Sequence, residues 1–402
     1  MRRDFGIIDT TLREGEQFAD AYFSPAQKLE IARALDAFGV QYLEVTSPAV
    51  SRRNMRDVQA LVRLGLRAKI LAHVRCHPVD IAAAIRAGVQ GVNLFFATST
   101  FLREAGHGRS LQAVLEAACE GVRQVQDAGL EVRFSCEDAF RSRLDEMLPI
   151  LHAVDALGVN RIGVPDTVGS ATPRQVYAVV SLLANELHAD LGFHGHNDAG
   201  CAVANAYAAL EAGARYVDTT VLGIGERNGI TSLEGLVARL AASDPTLLEG
   251  YDLKGLIPLA EMISEITNVP IPFNHTIAGS HAFAHRAGIH LGAILNNPRA
   301  YEAIDPDQFG AHRRLDMAHA LTGRHAIEHR AQELDIALNA EQLERVTTHF
   351  KNLAGRRRVG LTELDAVISA GASGMLFAEP DEEDIEVVYT EIEGEQSGPD
   401  GA

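Results

Sequence analysis

Basic residues are in short supply in this chain. Its 402 residues include 36 lysines and arginines against 54 aspartates and glutamates, a formal charge of −18. That balance argues against nucleic acid or an anionic membrane surface as the main partner, because either demands a basic patch. Cysteine is scarcer still. Cys76, Cys119, Cys136 and Cys201 are scattered without CxxC pairing, so no disulfide framework is implied. No apolar run approaches the roughly 18 residues of a membrane span. The N-terminal Met-Arg-Arg-Asp-Phe-Gly leads straight into a strand-like segment and does not read as a signal peptide. The expectation is a reduced, cytoplasmic protein. With 47% hydrophobic and 22% charged residues, it has the composition of an ordinary globular enzyme.

Much of the negative charge is local: residues 379–402 hold ten aspartates or glutamates and no lysine or arginine. This stretch reads as a solvated, disordered acidic tail. Ahead of it, residues 5 to about 242 alternate short apolar or β-branched runs with helical patterns. The strand candidates are 6–9, 42–45, 70–73, 92–96, 132–135, 161–164, 191–194 and 216–221. Eight such repeats predict an α/β fold, a (β/α)8 TIM barrel. A doubly wound sheet is the alternative, but no G-x-G-x-x-G follows the first strand. Ser24-Pro25 and Thr172-Pro173 mark helix starts, a capping hydroxyl followed by proline at the first helical position. After Leu253 the patterns are mostly helical, with stretches predicted at 326–337 and 340–355. The domain expectation is a catalytic barrel over 1–250, an α-rich C-terminal lid and dimerisation region over 251–378, and the tail.

The strand ends carry the chemistry. Residues 194–198 read His-Gly-His-Asn-Asp. On a strand, i and i+2 point to the same side, roughly 6 to 7 Å apart, so His194 and His196 can converge on a metal ion. Two imidazoles fill only part of a divalent shell. Glu14, in the Asp9-Thr-Thr-Leu-Arg-Glu-Gly-Glu-Gln17 string after the first strand, is the best carboxylate to complete it. One oxygen and two nitrogens leave open positions suited to the keto and carboxylate oxygens of a 2-oxo acid. Arg13 would place a cation at the oxygen that becomes negative on attack. Taken singly, His73 and Thr167 fit ordinary hydrogen-bonded positions. Arg133, sharing a strand face with Ser135 and Glu137, fits a buried ionic network equally well.

The strings at 8–17 and 194–198, with Gly223-Ile-Gly-Glu-Arg-Asn-Gly229, resemble the homocitrate and isopropylmalate synthase family, metal-dependent enzymes of acyl-CoA Claisen condensation. The likeness covers residues 5–375 and is strongest to the homocitrate-forming branch of lysine biosynthesis by the 2-aminoadipate route. It implies condensation of acetyl-CoA with 2-oxoglutarate, followed by thioester hydrolysis. It also implies Glu14, His194 and His196 as ligands of a divalent metal (Mg, Mn, Co or Zn). Arg13, Gln17, His73, Asn93, Arg133, Ser135 and Thr167 would surround the 2-oxo acid, with Glu137 an active-site carboxylate. His290, matched to a catalytic histidine, and Tyr301, its companion, would come from the neighbouring subunit of a homodimer with shared active sites.

Two departures stand out. The third string reads Gly-Glu-Arg-Asn-Gly-Ile where isopropylmalate synthases resemble Gly-Glu-Arg-Ala-Gly-Asn, and the chain lacks room for their long regulatory domain. Asn93 stands where homocitrate synthases commonly carry Asp, which implies weaker inhibition by lysine or a different 2-oxo acid. The alternatives are a sister enzyme acting on oxaloacetate, 2-oxoisovalerate or a phosphono analogue, and a non-catalytic metabolite sensor.

Overall fold

The protein is described from a computed structural model that covers residues 4–286 and 288–375; the acidic tail lies outside them. Eight parallel strands close a barrel in sequence order, the first paired with the last. They are β1 (Gly6–Asp9), β2 (Tyr42–Val45), β3 (Lys69–Arg75), β4 (Gly91–Ala97), β5 (Glu131–Glu137), β6 (Arg161–Asp166), β7 (Asp190–Gly195) and β8 (Tyr216–Thr219). Each is followed by a helix, beginning with α1 (Pro25–Phe38), α2 (Arg52–Val62) and α3 (Pro78–Ala87). Helices outside and packed side chains inside bury the strands on both faces, which is why they read as near-continuous apolar runs.

The predicted helix starts are built as capping boxes. Ser24 Oγ accepts from the Gln27 amide while the Gln27 side chain accepts from the Ser24 amide, and Thr172 and Gln175 repeat the arrangement. Each cap contributes about 1 kcal/mol. At the N-terminal end of the strands, Arg161 donates to the Tyr42 hydroxyl at 2.6 Å and to Glu131 at 2.8 Å, closing that end with polar links. The C-terminal ends remain for function.

The described residues divide into two compact units, one of residues up to 283 with 304–312, the other of residues 284–303 with those from 313 on. A boundary at 250 is therefore not where the chain divides. The helix Leu256–Thr267 buries Leu256, Leu259, Ala260 and Ile263 in the barrel unit's core. The second unit has its own apolar core, including Leu291, Ile327, Val346, Phe350, Leu364 and Ile368. Its helices are Gly288–Asn296, Arg324–Glu333, Ala340–Arg356 and Leu361–Ala372. The helix expected to reach 337 stops at Glu333, because Asp335 turns left-handed (φ 56°) and the Ile336 amide bonds back to Ala331.

Candidate active site

The barrel unit gathers eleven of the expected site residues around one cavity of about 560 Å³: Arg13, Glu14, Gln17, His73, Asn93, Arg133, Ser135, Glu137, Thr167, His194 and His196 all line it. The other two, His290 and Tyr301, belong to the second unit, where their rings pack with centroids 4.1 Å apart.

Candidate ligand atoms of Glu14, His194 and His196 lie within 4.8 Å of one another, and all three residues are buried. The two histidines do not sit on one strand as the i, i+2 argument supposed. β7 ends at Gly195, and His196 stands just beyond it, bridged to Ile230. Their rings are nevertheless 5.2 Å apart. His194 Nδ1 lies 3.0 Å from Asp218 Oδ2, a carboxylate–histidine pair that fixes the tautomer and leaves Nε2 available. His196 Nδ1 is buried with no hydrogen-bond partner. Burial, reinforced by the neighbouring His194, pushes the His196 imidazole down to about 3, so it stays neutral with a lone pair to offer. Burial pushes Glu14 up, but Arg13 and the two histidines outweigh it and hold the carboxylate below its usual range. A charged Glu14 carboxylate and a neutral His196 imidazole fit a divalent cation.

Glu14 is held in place from two sides. One oxygen accepts from the Glu226 amide at 2.9 Å and the other from the Arg13 guanidinium. The Glu226 amide is aimed by the Gly223–Gly229 loop, whose tightness explains its glycines. A Cβ at Gly229, which has φ +70°, would lie 1.8 Å from the Gly223 carbonyl oxygen, and one at Gly225 would lie 2.9 Å from Glu14 Cγ.

Arg13 is in turn clamped by Glu44. Its Nε donates to Glu44 Oε1 at 2.8 Å, and its remaining terminal nitrogen lies 2.8 Å from the same carboxylate, while Gln17 accepts at 3.0 Å. Glu44, on β2, was not singled out from the sequence. It is fully buried, and the only hint was an acid amid the apolar Tyr-Leu-Glu-Val strand. Burial raises its pKa, but Arg13, His73 and Arg133 together hold it well below the usual carboxylate range. Asn93 Nδ2 donates to Glu44 at 2.5 Å and sits 3.1 Å from His73 Nδ1; Ser135 donates to Asn93 Oδ1 at 3.0 Å. Strand register explains this row, since His73 pairs with Asn93 and Asn93 with Arg133 across β3, β4 and β5. His73 stacks on Phe95 at 4.3 Å.

Arg133 is bound up in the scaffold. Its two terminal nitrogens grip Asp218 at 2.8 and 2.9 Å, with both residues buried. Of the two readings open from the sequence, this geometry favours the ionic network. Asp218, on β8, was also missed, because one aspartate in a strand gives no local signal of a partner on β5. Thr167 Oγ1 accepts from the Asp138 amide at 2.9 Å, leaving its hydroxyl proton to donate elsewhere. The Glu137 carboxyl is pushed up by burial and by Asp138 and Glu226, which favours its protonated form.

Two further buried acids sit behind the site. Burial pushes Asp9 up to about 7 and Glu234 up to about 8. Glu234 accepts the Leu222 amide at the start of the glycine loop, 3.0 Å from each oxygen. The folded state retains protons on these acids that the unfolded chain releases near pH 4, so their contribution to stability is lost as pH rises through 7 to 8. Glu14, Glu44 and His196 act oppositely, but only below about pH 6.5. We therefore expect the melting temperature to fall between pH 6.5 and 8.5, and Glu234→Gln to flatten that slope; a rising or flat wild-type profile would refute the assignment.

Comparison with known proteins shows the family. A family model described as HMGL-like matches residues 4–263, and one described as homocitrate synthase post-HMGL domain-like matches residues 277–358. The mitochondrial homocitrate synthase of Penicillium rubens is 49% identical over 91% of this chain and 77% of its own length. The cytosolic isozyme of Saccharomyces cerevisiae is 47% identical over 91% and 86%. The barrel also matches the crystal structure of the Bacillus subtilis HMG-CoA lyase, with a TM-score of 0.60 at 21% identity, covering 67% of this chain and 96% of that one; at that identity the likeness speaks to fold alone. The chain belongs to the homocitrate synthase family, built on an HMGL-like barrel.

Proposed function

We propose that the chain is a homocitrate synthase, an acyltransferase that condenses acetyl-CoA with 2-oxoglutarate and hydrolyses the resulting thioester to homocitrate and CoA. The observation that carries this is the Glu14–His194–His196 cluster opening onto the same cavity as Arg13. Glu14, His194 and His196 would hold a divalent ion, Mg, Mn, Co or Zn, which when bound would polarise the keto group of a 2-oxo acid as a Lewis acid. Arg13, fixed by Glu44, presents a guanidinium to the oxygen that gains negative charge as the carbon–carbon bond forms. Gln17, Ser135, Thr167 and His73 offer polar contacts for the carboxylates, with Asn93 and Arg133 behind them.

The acetyl methyl group must lose a proton before it can add to the keto carbon. His290, an exposed imidazole packed on Tyr301, is the base suited to that step, contributed by the partner subunit of a homodimer. Glu137, biased toward its protonated form, supplies a proton to the nascent alkoxide. Water then attacks the thioester carbonyl, and CoA leaves as the thiol. We place the protein in the cytoplasm, because all four cysteines are free thiols. No described helix is long and apolar enough to cross a membrane, and the surplus of acidic charge leaves small molecules as its partners.

The test follows CoA thiol release from acetyl-CoA across 2-oxo acids with added divalent metal. Fastest release with 2-oxoglutarate is expected. A preference for oxaloacetate, 2-oxoisovalerate or a phosphono acid would reassign the substrate, and no release with any acid would point to a sensor. Lysine added to the same assay is expected to inhibit weakly, because Asn93 brings an amide where an acid would pair with an ammonium group.

A further inference from the structure

The second unit contains an ion-pair cluster to which the proposed reaction gives no role. Its centre is Glu302, the residue directly after Tyr301. Glu302 Oε1 lies 3.0 Å from His285 Nε2 and accepts from Arg313 Nε at 2.6 Å, while Oε2 accepts from an Arg313 terminal nitrogen at 2.6 Å. The Glu302 side chain is 6% exposed. Burial pushes its carboxyl up, but the hydrogen bonds from Arg313 and His285 outweigh burial and hold it below the usual carboxylate range. An ionised carboxylate only accepts, so His285 Nε2 is the donor.

The three residues stand at the roots of the segments that carry His290 and Tyr301. Strands β9 (Ala284–His285) and β10 (Arg314–Leu315) pair over two residues, a length too short to be stable by itself. His285 belongs to β9 and Arg313 stands just ahead of β10, so Glu302 ties the two strands with charge-assisted hydrogen bonds, about twice as strong as neutral ones. From β9 the chain runs into the helix Gly288–Asn296, which carries His290 and buries Leu291 and Ile294. The Asn297 side chain then accepts the Arg299 amide, opening the short turn Pro298–Ala300 that leads to Tyr301, and the Glu302 amide bonds back to the Pro298 carbonyl. The His290–Tyr301 pair itself is open to solvent, with Tyr301 46% exposed. Packing therefore does not set the 4.1 Å contact between the rings, yet a misplacement of about 1 Å at a reacting group can cost about 10²-fold in rate.

We propose that Glu302 is a positioning residue for proton abstraction from the acetyl group: through His285 and Arg313 it fixes the roots of the two segments that present His290 and Tyr301. The assignment rests on the reading of His290 as the base. One buried carboxylate thus sets the geometry of two exposed rings that have no enclosing wall of their own.

The test uses the metal-loaded full chain with Glu302→Gln, which keeps the shape and removes the charge, and with Arg313→Lys, which keeps a cation and loses the two-pronged grip. In Glu302→Gln kcat is expected to fall about 10- to 100-fold, and in Arg313→Lys by less, with the KM for the 2-oxo acid unchanged. Methyl-deuterated acetyl-CoA is expected to slow both variants more than it slows the parent, because cleavage of the C–H bond becomes limiting; a purely structural role would not raise that isotope effect. Glu302→Gln added to His290→Ala is expected to cost nothing further in residual turnover, since both changes act through one imidazole. An unchanged kcat in folded Glu302→Gln, an isotope effect that does not rise, or losses that multiply with His290→Ala overturns the proposal. Should a thermal melt show Glu302→Gln unfolded, Arg313→Lys is read by the same criteria. Full turnover by His290→Ala overturns the reading of the base and this proposal together, whereas an inactive His290→Ala beside a fully active Glu302→Gln overturns the proposal alone.

Discussion

Replacing Asp218 with alanine is expected to cost about 3–5 kcal/mol of stability, the usual penalty for leaving one member of a buried ion pair alone. Arg133 is 1% exposed, and both its terminal nitrogens are committed to Asp218. Its Nε already has no partner, and the other carboxylate beside it, Glu44 at 3.8 Å, is already bound by Arg13 and Asn93. Chemical denaturation of Asp218→Ala measures this cost. The double variant Arg133→Met/Asp218→Leu is expected to recover most of the stability, because it removes both charges together. A loss below about 1 kcal/mol in the single variant would show that water reaches Arg133. Asp218 also orients His194 through Nδ1, so metal affinity should drop roughly 10- to 100-fold in both variants. That loss separates the pair's structural contribution from its hold on the histidine.

His196→Ala is expected to abolish metal-dependent turnover, by about 10³-fold or more, since metal assistance accounts for several kcal/mol of barrier lowering. The fold should persist. His196 lies past the end of β7, and its backbone amide still donates to the Asp166 carbonyl at 3.2 Å without the imidazole. Removal of the buried ring, whose Nδ1 has no partner, should also leave stability within about 1 kcal/mol. Metal content measured after dialysis, set beside turnover and a thermal melt, checks all three. Full turnover with a normal metal content would remove His196 from the site, and a collapsed melt would make it a structural residue.

The barrel was legible because its signal is local and repeated. Each strand is a short apolar run and each helix a longer amphipathic one, and the Ser24-Pro25 and Thr172-Pro173 starts are set by hydrogen bonds spanning three residues. The Glu14–His194–His196 cluster was legible for a related reason: His194 and His196 are neighbours in sequence, and Glu14 stands in a string whose residue types carry the chemistry. The supports behind the cluster were not legible. Glu44 joins β2 to Arg13, Asp218 joins β8 to both Arg133 and His194, and Glu226 offers only a backbone amide. Each link spans tens to hundreds of residues and leaves no periodicity to read.

The sequence by itself determined the repeating strands and helices, the residues that carry reactive groups, and the sign of the molecule's charge, because these depend on residue type and near-neighbour spacing. Only the tertiary structure decided what those groups are bonded to. Pairing of β1 with β2 turns Arg13 onto Glu44, and closure of the barrel brings β5 and β8, which are not neighbours in the sheet, within side-chain reach, so that Arg133 is committed to Asp218. Burial then excludes the water that would otherwise let each charge stand alone.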